Sequence, residues 1–412
     1  MSGVAFSWFL GLVALAAWLN HRWWRLPPAI GVMALSLGLS LIVLTLGLAG
    51  INQVQALAGV VRGWDFDRLL LQGLLGFLLF AGALQVDVRC LRRQTGPVLW
   101  LATLGVILSA GIIAGLFWLG ANWLGHPVSP LAALLFGILI APTDAVAVGA
   151  AAKRAGGPSV WQTQLTGESL LNDGVAITLY LLGLAALTQG VPDLPGMTLL
   201  LGREVLGGIL LGLVGGGLAI YLLRRLQVQE DTLAIQLTLG LVAVVYTVAQ
   251  TSHVSGPLAV VTTGLVLVAG ASDMPTRAPL RHFWEMLDEI LNAGLFVLLG
   301  LLLVTLPWTV ATLAVGAMAI PVALFGRFVS VALPIALVRR RRFVPRGSIR
   351  VLTWGGLRGG ISVALALALP DMPEKELLQG AAYMVVVFSV LVQGLTVHRL
   401  FQANPAPQAD LD

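Results

Sequence analysis

Residues 134–151 read LLFGILIAPTDAVAVGAA, an apolar run with Pro142, Thr143 and Asp144 at its centre. As a helix this run would rise about 27 Å, close to the ~30 Å thickness of a bilayer's hydrocarbon core. Pro142 lacks the N–H that would bond the carbonyl of Ile138, so the helix breaks or kinks there. Carbonyls freed inside a bilayer are tolerated only where protein buries them or a polar cavity meets them. Asp144 then opens a second half-helix, whose positive dipole end favours a carboxylate. Residues 349–370, IRVLTWGGLRGGISVALALALP, carry a second interruption. There Arg358 is flanked by Gly355, Gly356, Gly359 and Gly360, which weaken a helix and admit another backbone. Arg358 is expected near the C-terminal end of its own first half-helix, where the negative dipole end welcomes a cation.

The surrounding composition fixes the solvent. Of 412 residues, 58% are hydrophobic and 10% charged, a balance outside the range of soluble domains. Apolar runs of about 18 residues or more recur from end to end, each able to cross a bilayer. The abundance of glycine suits helices packed closely in lipid. The chain is read as all-α and integral to the membrane, with one transmembrane domain over residues 1–401 and a short cytoplasmic tail at 402–412. Residues 3–20 have neither the basic leader nor the small-residue cleavage site of a signal peptide, and are read as a spanning helix. A net charge of +5 raises nucleic acid as a partner. The basic residues, however, lie in short clusters between apolar runs, where they act as topology signals. The lipid bilayer is the expected partner, and nucleic acid is not. The single Cys90 excludes an intramolecular disulfide and a cysteine metal cluster.

Apolar runs between turn signals predict thirteen spans, near 3–20, 28–50, 67–87, 96–120, 130–152, 160–188, 198–223, 232–251, 256–271, 283–304, 308–338, 347–370 and 377–401. Arg22 and Arg25, Arg89, Arg92 and Arg93, and Lys153 and Arg154 follow the first, third and fifth spans. Arg224 and Arg225, Arg277 and Arg281, the run Arg339 to Arg342 with Arg346 and Arg350, and Arg399 follow later odd-numbered spans. Arg62, Arg68, Arg203 and Lys375 fall on the other side, and Arg327 and Arg358 lie inside spans. The positive-inside rule then places the N-terminus outside and the C-terminus in the cytoplasm of a cell membrane, in a bacterium the inner one.

The two interrupted spans stand in a particular relation. If residues 1–190 and 230–401 are repeats joined by the linker helix 198–223, the fifth and twelfth spans are counterparts of opposite direction. Interrupted helices at matching places in inverted halves point to a transporter's midplane site. The sixth span, WQTQLTGESLLNDGVAITLYLL (161–182), supplies more intramembrane charge. Glu168 and Asn172 share one face, and Ser169 and Asp173 a second, rotated by about 100°. Asp173 lies about 20 Å along the helix from its cytoplasmic end, near the midplane. Charges at this depth are functional candidates by default. Arg327, in the segment GRFVS, is a possible charge partner of Asp144. The five histidines fall in loops or at span ends, and Trp8, Trp18, Trp23, Trp24, Trp100 and Trp308 read as interfacial anchors. Asp87, Glu285, Asp288 and Glu289 lie near cytoplasmic span ends.

The segments PTDAVAV (142–148), GESLLNDGVAI (167–177), FWEMLDEILNAGLFVLLGL (283–301) and TWGGLRGGISVALALALP (353–370) resemble the signature segments of NhaP-type sodium/proton antiporters. These belong to the cation:proton antiporter-1 branch, which includes the animal sodium/proton exchangers. The resemblance implies an NhaA-like antiporter fold of thirteen spans with crossed discontinuous helices, assembled as a homodimer. It implies that Asp173 carries sodium and proton alternately, with Ser169 and the backbone around Thr143 as further ligands of the monovalent cation. It also implies that Glu168 pairs with Arg358, and that Asn172 and Asp144 support the crossing. One departure is Ala81 in the third span, where family members often carry an acid.

The charges suggest a mechanism. Asp144, Glu168 and Asp173 against Arg327 and Arg358 leave one negative charge, which either a proton or a sodium ion cancels. Competition for one carboxylate makes an exchanger, because the empty charged core is held back by its desolvation cost. With an amide at Asn172 in place of a second carboxylate, the expected exchange is electroneutral and one for one. No enzymatic activity and no cofactor are expected. An intramembrane aspartyl protease would also use two membrane carboxylates, but no GxGD-like segment is present. A channel would need a continuous selectivity lining. A potassium/proton antiporter on the same fold is the nearer alternative, since cavity size and coordination decide selectivity among alkali cations.

Overall fold

The computed structural model describes residues 3–48, 59, 69–145, 148, 159–189, 194–225, 230–270, 276–337 and 347–403. These residues form helices and connecting turns, and the one extended pairing among them is a single bridge between Asp144 and Leu357. Among the described residues eight helices are long and apolar enough to cross a membrane, and the shorter apolar helices Leu75–Leu84, Pro130–Ile140 and Gly256–Gly270 lie where the third, fifth and ninth spans are predicted. The chain is a multi-pass membrane protein. Its exterior is correspondingly apolar, with Leu199, Leu206, Leu210, Val214 and Tyr221 of one helix all exposed. In water such a face would be a docking surface or a liability; in lipid it is at equilibrium. Trp8 (77% exposed) and Trp23 also stand on the surface, as anchors should. The basic residues Arg62, Arg68, Lys153, Arg154, Arg339 to Arg342 and Arg346, and the tail beyond residue 403, lie outside the described residues.

Close packing follows the small residues. The helix Leu194–Arg225 lies along Gly256–Gly270, with Gly208, Gly212 and Gly216 facing the carbonyls of Ser255, Ala259 and Thr263. A Cβ at Gly208 would stand 2.7 Å from the Ser255 oxygen, and one at Gly216 3.0 Å from that of Thr263. Thr263 Oγ1 donates across the seam to the Gly212 carbonyl at 3.2 Å. This repeat of small residues at every fourth position is how helices approach backbone to backbone in lipid.

The elements that position the site come from both halves of the chain. Ser129 starts the fifth span as its N-cap, accepting from Ala132 N at 3.3 Å, and Pro130 follows at the first helical position. The helix stops at Ile140, two residues before Pro142. The twelfth span is two short helices, Ser348–Trp354 and Gly360–Leu367, separated by residues 355–359. The two interruptions cross, and Asp144 N donates to Leu357 O at 2.7 Å. Ser159–Gln189 runs beside both, and the long helix Val310–Leu337 packs against Ser348–Trp354.

Candidate functional site at the crossing of two interrupted helices

Crossing two broken helices deep in the protein leaves unbonded carbonyls at the C-terminal end of each first half. An arginine covers each end. Arg358 Nη1 donates to the carbonyls of Ala141 and Pro142, at 2.6 and 3.0 Å. Arg327 donates to the Leu352 carbonyl through Nε (3.1 Å) and Nη2 (2.9 Å). Each guanidinium therefore meets the negative end of a half-helix dipole, a favourable place for a cation. The helix end that Arg358 serves belongs to the fifth span, however, and not to its own segment as the sequence suggested.

The ion pair also differs from the expected one. Glu168 is 1% exposed and pairs with Arg327, not Arg358. Arg327 Nη2 donates to Glu168 Oε2 at 2.8 Å and Nη1 donates to Oε1, a bidentate fork that occupies both carboxylate oxygens. The reason is geometric: Arg327 projects from a helix packed on Ser348–Trp354, so its fork reaches Glu168 and Leu352 together. Arg327, which the sequence offered as a possible charge partner of Asp144, is engaged by Glu168 and by the Leu352 carbonyl.

The remaining predicted residues do come together. Asn172 Nδ2 donates to Thr143 Oγ1 at 2.8 Å, and the Thr143 hydroxyl points on to Glu168 Oε1 at 3.4 Å. Glu168 and Asn172, one turn apart on one helix face, thus both grip the break at Thr143. On the neighbouring face Ser169 Oγ accepts from Ala145 N at 3.1 Å. Gly359 is required where it stands, because a Cβ there would overlap the side chain of Asp144, and a Cβ at Gly356 would collide with the Arg327 guanidinium. Asp173 is 7% exposed, and no donor or cationic group among the described residues is bonded to it. Ala81 is wholly buried in an apolar cluster with Phe80 and Trp284, so the third span supplies no carboxylate at that position.

Sequence reasoning missed Ser389 and Gln393. Ser389 Oγ accepts from Arg358 N at 2.8 Å and donates to Gln393 Oε1 at 2.7 Å, while Gln393 Nε2 donates to the Trp354 carbonyl at 3.0 Å. The pair therefore holds both sides of the second break from a π-helical turn, Ser389–Gln393, in the last span. Their signal was legible in principle: a serine and a glutamine four apart inside an apolar run. Nothing about their residue types indicated that backbone, rather than an ion, would be their partner.

With this geometry in place, comparison with known proteins is decisive. Residues 10–403 match the family model for the transmembrane sodium/hydrogen exchanger. The chain belongs to the sodium/hydrogen exchanger family. It is 39% identical to the Na(+)/H(+) antiporter NhaP of Pseudomonas aeruginosa, over 98% of each chain. It is 31% identical to the Na(+)/H(+) antiporter NhaH of Halobacillus dabanensis, over 89% of this chain and 91% of the relative. The fold matches that of the sodium proton antiporter MjNhaP1 from Methanocaldococcus jannaschii at pH 8, with a TM-score of 0.77 at 18% identity and 98% of this chain covered.

Proposed function

We propose that this chain exchanges sodium, or lithium, for protons across a cell membrane, one for one, through competition of the two ions for Asp173. The observation that carries the reading is the state of the site's charges. Arg327 is committed to Glu168 and Leu352, Arg358 to two carbonyls, and Asp173 has neither. A carboxylate desolvated without a cation is costly, so the loaded forms, protonated or cation-bound, are those in which the core changes sides. The reading takes Ser169 and the backbone near Thr143 as further oxygen ligands of the small cation. The relatives named as Na(+)/H(+) antiporters support sodium over potassium. The same reading takes thirteen spans in two inverted repeats, a homodimer, an outside N-terminus and a cytoplasmic C-terminus. It invokes no enzymatic step and no cofactor.

The test is proton flux in proteoliposomes driven by each alkali cation in turn. Sodium and lithium should drive saturable flux, and protons should raise the KM for sodium competitively. Asp173→Asn should abolish flux in a folded, membrane-inserted protein; appreciable cation-driven flux in that variant would remove Asp173 from its role.

A further inference from the structure

Arg358 spends only part of its hydrogen-bonding capacity on the crossing. Its Nη1 covers the carbonyls of Ala141 and Pro142, and its backbone N–H donates to Ser389 Oγ. Nη2 carries two more N–H donors. It has no hydrogen-bond partner among the described residues, although Arg358 is only 3% exposed. Arg327 differs, because Glu168 and the Leu352 carbonyl engage all three of its guanidinium nitrogens. A buried donor without an acceptor is costly, more so on a charged group.

A small cavity lies beside that donor's side chain. Arg358 and Arg327 line it, with Gly356 of the second interruption, Ala323 of Val310–Leu337, and Val385 and Gln393 of the last span. None of its lining residues is exposed. About 10 Å³ of the cavity is open to the centre of a water-sized sphere, roughly the room that one water molecule needs by that measure. The walls can also bond a water. Gln393 Oε1 accepts from Ser389 Oγ and Nε2 donates to the Trp354 carbonyl, which leaves a second lone pair on one amide atom and a second N–H on the other.

Charge decides between a water and a small anion. Two guanidiniums on one cavity would attract an anion. At the crossing, however, Asp144 and Glu168 balance Arg327 and Arg358 when Asp173 is loaded, as in the exchange proposed above. A bound halide would then add a buried negative charge with nothing to offset it. A neutral ligand leaves the balance intact.

We infer that the cavity is a hydration site, in which one water accepts from Arg358 Nη2 and bonds the Gln393 amide. The water closes a ring that runs from the Arg358 backbone through Ser389 and Gln393 and returns to the Arg358 guanidinium. The last span thereby holds Arg358 at both ends, and through its Nη1 steadies the Ala141 and Pro142 carbonyls of the other interruption.

The test compares Ala323→Thr with Ala323→Val by thermal denaturation of the purified protein. The two side chains share a shape, so crowding is common to both, and they differ by a hydroxyl against a methyl group. Each displaces the water. The threonine hydroxyl takes over as acceptor for Nη2, whereas the valine methyl strands it. Ala323→Thr should therefore melt higher than Ala323→Val, by roughly 2 °C or more. At Ala319, one turn earlier and wholly buried in an apolar cluster, valine should melt higher than threonine. Equal melting of the Ala323 variants, a valine advantage at Ala323, or a threonine advantage at both positions would overturn the site. If the variants do not fold, a density map of the unmodified protein that resolves ordered water decides. One water peak within hydrogen-bonding distance of Nη2 is expected; no peak there, or one with bromide's anomalous scattering in bromide buffer, would overturn the assignment. Melting and density need no flux, so a failure of the proposed exchange at Asp173 is detected separately.

Discussion

Arg327 and Arg358 look interchangeable in sequence, both being single arginines inside apolar spans, yet they hold different partners. Removing Arg327 strands Glu168 in a site where it is 1% exposed, and breaking a buried pair in this way costs about 3–5 kcal/mol. Removing Arg358 strands no carboxylate partner but releases two carbonyls, at about 1–3 kcal/mol. Arg327→Ala should therefore lower the melting temperature of the purified protein more than Arg358→Ala does, and Asp173→Asn should lower it least. The reverse order for the two arginines would mean that Glu168 belongs to Arg358 after all. The types and depths of these residues were readable from sequence because charge in lipid is rare. Their pairing was not, because depth along a helix says nothing of the direction in which a distant helix presents its side chain.

The elements carry a second kind of constraint, in places where side chains are absent. Gly212 faces the carbonyl of Ala259 with no room for a methyl group, whereas Gly217 on the same helix faces open space. Gly212→Ala should destabilise the protein by about 1–3 kcal/mol through overpacking. Gly217→Ala should be neutral or stabilising by up to about 1 kcal/mol, since alanine favours helix. Thermal denaturation in detergent compares the two directly, and an equal effect would show that the seam is looser than the close approach implies. Both interruptions were legible, one from proline and one from glycines flanking an arginine. That they touch through a single Asp144–Leu357 hydrogen bond was not, since it joins residues more than two hundred positions apart. Nor did the sequence separate glycines that pack from those that face lipid.

At the scale of the whole molecule, the composition alone named the solvent, and the alternation of arginine clusters proposed the threading. The net consequence of the site's charges is thermodynamic. A transmembrane potential contributes about 2.3 kcal/mol per net charge per 100 mV. With Asn172 an amide bonded to Thr143, the exchange should move no net charge, and the reversal point of proton flux should stay fixed at several clamped potentials. A reversal point that tracks the potential would mean that a second group titrates with the substrate. Asp144 is the residue to replace first in that event.

The π-helical turn at Ser389–Gln393 has a consequence for chain length. A π turn holds one residue more than the α-helix it interrupts, so a chain one residue shorter could pass the same place as regular α-helix. Deleting a residue such as Val392 would restore a regular helix and swing everything beyond it by about 100°. Gln393 would then leave the Trp354 carbonyl, and Gly394 would lose its place against Ile30. Relatives that keep a serine and a glutamine at this spacing should retain the extra residue, and those that lack the pair should be one residue shorter between the last interruption and the end of the final helix.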